Sequence, residues 1–423
     1  MPNKNNATQR NTSFYRSRVG KKSKNEKNSL FTDKVKKRER QSLLRALVIL
    51  FSVVIVVGGF IALGVWLQGL VDEEDIKNAD TTSPTVSGTN SDEEFFATYT
   101  TEPAADPPFD ITGIYDNYNG IYLDVSTIPN IESLDAFIES SKAAGINAVS
   151  IDIKKPDGGL PFYLNGDTYT TAGEYGRVPL GDMISLPDLI SKFHAADMYV
   201  SGRISALRDT LAAQSLPKWT FTNPSTNMAW SDKNGDMWLN PYIDGARLHV
   251  VTYVVSAVSA GLDEVVLSDF TFPEYTGEAP AYADGGVSRY IAVREFLAEI
   301  RRALDDSYPK AKLGIFIPLA DLENIPNEQT GLSPIELKEV TSFISTDFSP
   351  TKIASGSKIG DVTITNPAAN PRETIQALAV KYKYLIDITR FRPIIARYDD
   401  VEMIAAEKQA LRDSGVSVWE QSG

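Results

Sequence analysis

The fold is decided by residues 120–154, GIYLDVSTIPNIESLDAFIESSKAAGINAVSIDIK. The two ends of this stretch, 120–126 and 147–154, are short apolar runs rich in residues that favour strands. Between them apolar residues recur at helical spacing from Ile131, and Gly145 supplies the stop signal. A strand, an amphipathic helix and a second strand in this order predict a parallel β-α-β unit.

The same alternation continues to the C-terminus and gives eight rounds of strand and helix. Six more strands are predicted at 198–205, 262–270, 311–318, 341–348, 392–398 and 416–420. Clear helices are predicted at 131–145, 186–197, 246–261, 288–306 and 401–415, with a weaker one near 373–385 and only the short IELKEV segment after the fifth strand. Eight rounds in about 300 residues predict an α/β fold, a (β/α)8 TIM-type barrel.

The competing fold is an open doubly wound sheet. Such a sheet usually carries a glycine-rich phosphate loop after its first strand. The corresponding segment here, VSTIPNIES, contains no glycine. The sequence therefore favours the barrel, which we assign to residues 111–423.

The residues before the barrel predict a membrane anchor. Residues 46–67 contain no charged side chain and reach the ~20 residues that a helix needs to cross a bilayer, so we predict a transmembrane helix at 46–68. Residues 1–45 hold 14 Lys and Arg against 3 acids and are predicted to be a disordered cytoplasmic tail. The long basic segment and extended apolar run indicate an uncleaved anchor rather than a signal peptide. Residues 69–110, acidic and rich in Ser, Thr and Pro, read as a linker to an extracytoplasmic domain at 111–423.

The composition disfavours several classes of function. The chain carries a net charge of −13 although its tail is basic, so the predicted ectodomain is strongly acidic and nucleic acid is not an expected partner. No cysteine is present, which removes disulfides and thiolate metal sites. The two histidines, His194 and His249, both fall inside predicted helices, so a histidine-ligated metal or a Ser-His-Asp arrangement is disfavoured. No cofactor is predicted, and the oligomeric state stays open.

Carboxylates dominate the predicted carboxyl ends of the strands, where barrel enzymes place their chemistry. Glycoside hydrolysis is the commonest reaction that two carboxylates run without further help. Asp269, at the end of the fourth strand, is our candidate nucleophile or base. Asp347, at the end of the sixth strand, is the candidate acid by analogy with barrel glycosidases, and Glu274 and Glu420 are alternatives.

A second set of residues is predicted to bind the sugar. Asp152 and Arg203 follow or end strands and would orient the substrate. Aromatic side chains in the loops at the strand exits would supply platforms for sugar rings. The predicted substrate-binding residues are Asp152, Arg203, Asp209, Trp238, Tyr242 and Trp419.

Three stretches in order carry a family resemblance. They are NAVSIDIKKPDGGLPF (147–162), MYVSGRISALRD (198–209) and MWLNPYIDGARLHVVTYVVSAVSAGLDEVVLSDFTFP (237–273). This pattern resembles a bacterial family of glycoside hydrolase-like TIM-barrel proteins that are often secreted or membrane-anchored. The resemblance covers about residues 115–423 and implies a polysaccharide ligand, which we expect to come from the cell envelope.

Two departures from the family pattern keep other functions open. Asn240 stands where the family typically has Asp, and the segment after Asp269 reads Phe-Thr-Phe-Pro without the family's arginine. A non-catalytic carbohydrate-binding or scaffold protein is therefore a rival to the hydrolase. A barrel hydrolase that depends on a divalent cation is a third possibility, because hard cations prefer oxygen ligands.

Overall fold

The structure, a computed structural model, describes residues 111–164, 176–275, 277–282, 284–322, 326–388 and 390–423. The predicted tail, transmembrane helix and linker lie outside the described residues. Within the described ranges, no helix is both long and apolar enough to cross a bilayer.

In the described part of the chain, eight parallel strands close into a barrel, as the sequence predicts. Every neighbouring pair is parallel, including the pair of first and last strands that closes the ring. The barrel strands are β1 (Asn119–Leu123), β2 (Ala148–Lys154), β3 (Tyr199–Ser205), β4 (Glu264–Ser268), β5 (Lys312–Phe316), β6 (Phe343–Asp347), β9 (Phe391–Ile395) and β10 (Trp419–Gln421). Their order around the ring is β1-β10-β9-β6-β5-β4-β3-β2.

The helices between the strands agree closely with the sequence predictions. The longer ones are Ile131–Ala143, Leu186–Ala195, Asp244–Ser259, Arg289–Ser307, Pro371–Lys381 and Val401–Asp413. Shorter helices are Ile111–Asp116, Pro179–Met183, Thr210–Ser215, Leu319–Leu322, Pro334–Leu337 and Lys383–Ile388. The short IELKEV segment predicted after the fifth strand forms only one helical turn, at Pro334–Leu337.

Local sequence signals account for the ends of the first long helix. Asn130 caps it, since its Oδ1 accepts a hydrogen bond of 2.8 Å from the backbone N–H of Ser133. Gly145 follows the helix at φ 72°, a left-handed conformation that glycine adopts without steric cost. The chain then turns directly into β2.

One element was not predicted from the sequence. Between β6 and β9 the chain forms an antiparallel hairpin, β7 (Ser357–Ile359) and β8 (Val362–Ile364), outside the barrel. Its three-residue strands are too short to give a periodic apolar pattern.

Apolar side chains fill the layer between the barrel and its helices, whereas the barrel interior is partly charged. Toward the amino-terminal end, Arg392 of β9 pairs with Glu264 of β4, and both side chains are fully buried. Tyr199 Oη donates to Glu264 Oε2 over 3.1 Å, and Tyr118 stacks on the Arg392 guanidinium at 3.6 Å. Together with Phe343 these side chains close the interior below the rim.

Candidate active site

A cleft of about 780 Å³ opens at the carboxyl ends of β1 to β5. Strand residues that line it include Tyr122 on β1, Asp152 on β2, Arg203 on β3 and Phe316 on β5. The cleft therefore lies where parallel barrels place their chemistry. The carboxylates that line it are Asp152, Asp232, Asp269, Glu274 and Asp321.

Asp269 follows β4 directly and faces the cleft. Its backbone φ is 50°, which is uncommon for a residue with a side chain. Asp269 Oδ2 accepts a hydrogen bond of 2.7 Å from Ser205 Oγ, and Arg208 Nη2 lies 3.4 Å from Oδ1. A hydroxyl donor and a cation thus stabilise the ionised carboxylate.

Arg208 reaches Asp269 from the loop after β3. An antiparallel bridge joins Arg208 to Trp238, and Leu239 N–H donates to Leu207 O over 2.7 Å. The Arg208 guanidinium also lies 3.5 Å from Asp236 and 5.9 Å from the centre of the Trp238 ring. This bridge fixes the largely buried tryptophan at the edge of the cleft.

Arg203 occupies the floor of the cleft. Its guanidinium stacks on Tyr122 at 5.0 Å and on Phe316 at 6.0 Å, and its Nη1 lies 3.9 Å from Glu420 Oε1. Burial lowers the pKa of Arg203, but the charges of Glu420 and Asp152 outweigh burial and raise it. Tyr122 Oη donates to Asp152 Oδ2 over 2.8 Å. The structure therefore brings the predicted pair Asp152 and Arg203 together at one rim.

Asp209 lies beneath the cleft and does not line it. Its carboxylate pairs with Lys154 Nζ at 2.9 Å, with both side chains at most 2 % exposed, and it caps helix Thr210–Ser215 through the N–H of Ala212. His249 Nε2 lies 3.3 Å away. Burial opposes the charge, but Lys154, His249 and the Ala212 N–H hold the pKa of Asp209 well below its usual range. Its position fits a role in holding Lys154, which does line the cleft.

Asp321 and Glu274 lie together on the β4 and β5 side of the cleft. Asp321 sits in the short helix after β5, and Glu274 lies in the loop after β4. Burial and the neighbouring charge of Glu274 raise the pKa of Asp321 to about 6. Glu274, which the sequence analysis gave as an alternative acid, lines the cleft.

Besides Asp209, four more predicted site residues lie outside this cleft. Asp347 ends β6 on the same rim, but Lys352 Nζ binds its carboxylate at 2.6 Å. Glu420 is buried under Arg203, and burial raises its pKa. Tyr242 packs on Phe272 and donates to the carbonyl of Val287.

Trp419 lies at the opposite end of the barrel from the cleft. It begins β10 and pairs in register with Asn119, the first residue of β1. Its Nε1 donates to Asn119 Oδ1 over 2.7 Å, and Arg412 stacks on its ring at 5.0 Å. The prediction placed Trp419 at a strand exit because the predicted strand, 416–420, ended near it.

The cleft residues that were not predicted as site residues include Arg208, Asp232 and Asp321. Asp321 had a signal, because it follows the fifth predicted strand. Arg208 stands three residues after β3, which places it near a rim without indicating its direction. Asp232 accepts a hydrogen bond of 3.1 Å from Trp238 Nε1 and belongs to a loop that no periodicity marks.

The departure at Asn240 has a structural explanation. Asn240 is buried, its Nδ2 donates to the carbonyl of Tyr282 over 2.8 Å, and its Oδ1 accepts from the N–H of Tyr242 over 3.0 Å. One donor and one acceptor are needed at this position, and an amide supplies both. Asn240 does not line the cleft.

The carboxylates of the cleft are not arranged as a metal centre. Over the described ranges, no group of three or more His, Asp or Glu side chains is placed to hold an ion. The cation-dependent alternative therefore gains no support from this part of the chain.

Comparison with known families identifies the domain. The family described as "putative glycosyl hydrolase domain" matches residues 120–414, which include all barrel strands except β10. The chain belongs to this family. No curated protein matches the sequence.

Several solved structures are similar to the chain at low identity. A hypothetical protein from Ruminiclostridium thermocellum is 22 % identical, with a TM-score of 0.38, over 46 % of this chain and 96 % of its own. An alpha-galactosidase from Thermus thermophilus is 12 % identical, with a TM-score of 0.44, over 73 % of this chain and 58 % of its own. An alpha-L-fucosidase from Paenibacillus thiaminolyticus is 14 % identical, with a TM-score of 0.47, over 73 % of this chain and 46 % of its own.

Proposed function

We propose that this family member hydrolyses glycosidic bonds, with Asp269 as the ionised carboxylate that attacks the sugar or activates water. The observation that carries the proposal is the position of Asp269 at the end of β4, in a cleft, with its charge stabilised by Ser205 and Arg208. A nucleophile or base needs such donors, because it must stay ionised beside other acids. Tyr275 and the small exposed part of Trp238 add apolar surface for a sugar ring.

The proposed substrate is a polysaccharide of the cell envelope. Support comes from the predicted topology, in which the basic tail is cytoplasmic and the barrel lies outside the membrane. An anchored barrel would meet envelope glycans first. The proposed site is therefore extracytoplasmic and membrane-tethered.

The activity is tested with cell-wall and capsular glycans and the full-length protein. Wild type and Asp269→Asn are compared for release of reducing ends, with Asp413→Asn as a matched surface control. We expect Asp269→Asn to lose several orders of magnitude in turnover while retaining glycan binding, because the lost charge acts chiefly in the transition state. Equal release by both proteins would remove Asp269 from the mechanism. Binding by wild type without any turnover would favour the scaffold protein.

The topology is tested by adding protease to intact cells. Fragments that retain the tail but lose residues 120–423 are expected, since the barrel is proposed to be outside. Protection of the barrel until the membrane is opened would reverse the orientation.

A further inference from the structure

The carboxylates of the cleft differ in their bonding partners. Tyr122 Oη binds Asp152, and Trp238 Nε1 binds Asp232. Asp269 accepts a hydrogen bond from Ser205 Oγ and pairs with the Arg208 guanidinium. Among the described residues, by contrast, no cation or hydrogen-bond donor binds the side-chain carboxylates of Asp321 and Glu274.

This difference separates two chemical roles. A carboxylate that receives hydrogen bonds and faces a cation is stabilised in its ionised form. A carboxyl group that is partly buried beside another carboxylate is stabilised in its protonated form. Asp321 has the second environment, and burial together with Glu274 raises its pKa to about 6. The cleft thus contains one carboxyl group suited to attack and one suited to give up a proton.

The strand order places these two groups after neighbouring strands of the rim. Asp269 follows β4, and Asp321 follows β5, the neighbouring strand in the ring. Both line the same cleft. Asp347, the acid predicted from the sequence, does not line it and is paired with Lys352.

We propose that Asp321 is the general acid of the hydrolase and that Glu274, on the same side of the cleft, is its positioning residue. The assignment rests on the proposed function and adds a residue to it. It also replaces Asp347 by a residue from the neighbouring strand.

The step balances as an ordinary glycoside hydrolysis. The Asp321 proton passes to the glycosidic oxygen as the bond from C1 to that oxygen breaks, and the oxygen keeps the bonding electron pair. C1 forms a new bond either to an oxygen of Asp269 or to a water whose proton Asp269 accepts. In the first case water then displaces Asp269 from C1 and returns its proton to Asp321. In the second, the protons on the two carboxyl groups re-equilibrate with solvent.

The acid role is tested with two substrates of one sugar. One is the natural glycosidic linkage, whose leaving alcohol needs a proton, and the other is a dinitrophenyl glycoside, whose phenolate leaves without one. In the full-length protein, Asp321→Asn is expected to slow cleavage of the natural linkage by about 10²–10⁴-fold. The rate of bond breaking in the dinitrophenyl glycoside is expected to change little. An equal loss on both substrates, or no loss on either, would overturn the assignment.

The positioning role has its own readout, the pH profile. Glu274→Gln removes the negative charge beside Asp321, so the alkaline limb of kcat/KM is expected to move to lower pH. Asp361→Asn, an exposed change in the hairpin, is the matched control and is expected to leave the limb in place. An unmoved limb in Glu274→Gln would remove Glu274 from the mechanism.

These outcomes separate the two proposals. If wild type cleaves neither the glycans nor the aryl glycosides, the hydrolase function fails, and the acid assignment fails with it. If wild type cleaves them and Asp321→Asn cleaves the natural linkage equally well, only the acid assignment fails. Circular dichroism and thermal unfolding of each variant show whether a loss comes from misfolding.

Discussion

Arg208 Nη2 lies 3.4 Å from Asp269 Oδ1, although the segment that follows Asp269 lacks the arginine typical of the family. The cation reaches the carboxylate from the loop after β3, so the missing arginine does not leave Asp269 without a positive partner. This contact weakens the main sequence argument for a binding protein that has lost catalysis.

The first prediction concerns this contact. Arg208→Gln is expected to lower kcat/KM by about 10- to 100-fold, because the developing charge at the site loses a fixed cation. Arg294→Gln, which removes a half-exposed arginine paired with Glu295 on a helix, is the control and is expected to leave kcat/KM unchanged. Initial rates on a cleaved glycan supply the measurement. Wild-type rates in Arg208→Gln would show that the contact has no catalytic role.

The second prediction concerns the buried pair of Lys154 and Asp209. Asp209→Asn leaves the Lys154 ammonium buried without its counter-charge and is expected to lower the free energy of unfolding by about 3 kcal/mol. Asp413→Asn breaks the exposed pair with Arg372 and is expected to cost less than about 1 kcal/mol. Urea unfolding of the full-length proteins at pH 7 compares them, and similar losses would contradict the prediction.

Lowering the pH is expected to weaken the pair of Lys154 and Asp209. The folded pKa of Asp209 lies well below its ordinary value, so its contribution to stability is present above about pH 4 and is lost as the pH falls further. The stability difference between wild type and Asp209→Asn is therefore expected to shrink at acid pH. If this difference in the free energy of unfolding stays constant down to pH 2, the charge of Asp209 is not its cause.

The third prediction concerns Glu407, which is buried on helix Val401–Asp413 and accepts a hydrogen bond of 2.9 Å from Tyr398 Oη. Burial raises its pKa from 4.5 to about 8. In the unfolded chain the group ionises above about pH 4.5, so the folded state loses stability as the pH rises from there to about 8.

Glu407→Gln removes this penalty without changing the shape of the side chain. The variant is expected to be more stable than wild type by about 1–3 kcal/mol at pH 8 and equal to it below pH 4.5. Urea unfolding at pH 4, 6 and 8 provides the comparison. A variant that is less stable at pH 8 would show that Glu407 is ionised in the folded protein.

The fourth prediction concerns the family departure at Asn240. Asn240→Asp places a carboxylate against the carbonyl of Tyr282, where an N–H donor is needed, and is expected to cost about 1–3 kcal/mol at pH 7. Protonation of the new Asp should recover part of this loss at pH 4. Asn234→Asp, an exposed change in the same region, serves as the control in thermal unfolding. Enhanced cleavage by Asn240→Asp would instead show that the family's Asp has a catalytic role here.

The barrel and its rim were largely predictable from the sequence, because strand and helix periods differ and the carboxyl ends of parallel strands share one edge. Asp152, Arg203 and Asp269 were placed at that edge on this ground. The direction of each side chain was harder to predict. Glu420 and Trp419 are adjacent on β10, so their side chains point to opposite sides of the strand. Trp419 is the first residue of this strand, which places it at the amino-terminal end of the barrel.

The remaining site residues were hard to predict because their positions depend on loop conformation and on ion-pair partners. Asp347 was placed correctly at the end of β6, but its pairing with Lys352 depends on the turn that follows. Asp209 is a residue type usually found at the surface, and only the buried Lys154 explains why it lies inside. Asp232 reaches the cleft through bridges in the loop after β3, which leave no periodic signal.

The buried side chains toward the amino-terminal end of the barrel close the bottom of the cleft. The pair of Arg392 and Glu264, covered by Tyr118 and Tyr199, leaves no passage through the barrel axis. A long glycan therefore cannot be threaded through this domain and must lie across the mouth or insert one end. In the proposed reaction the released sugar has to leave by the way it entered, so the loops at the mouth would control both the length of chain that is accepted and the rate at which the product departs.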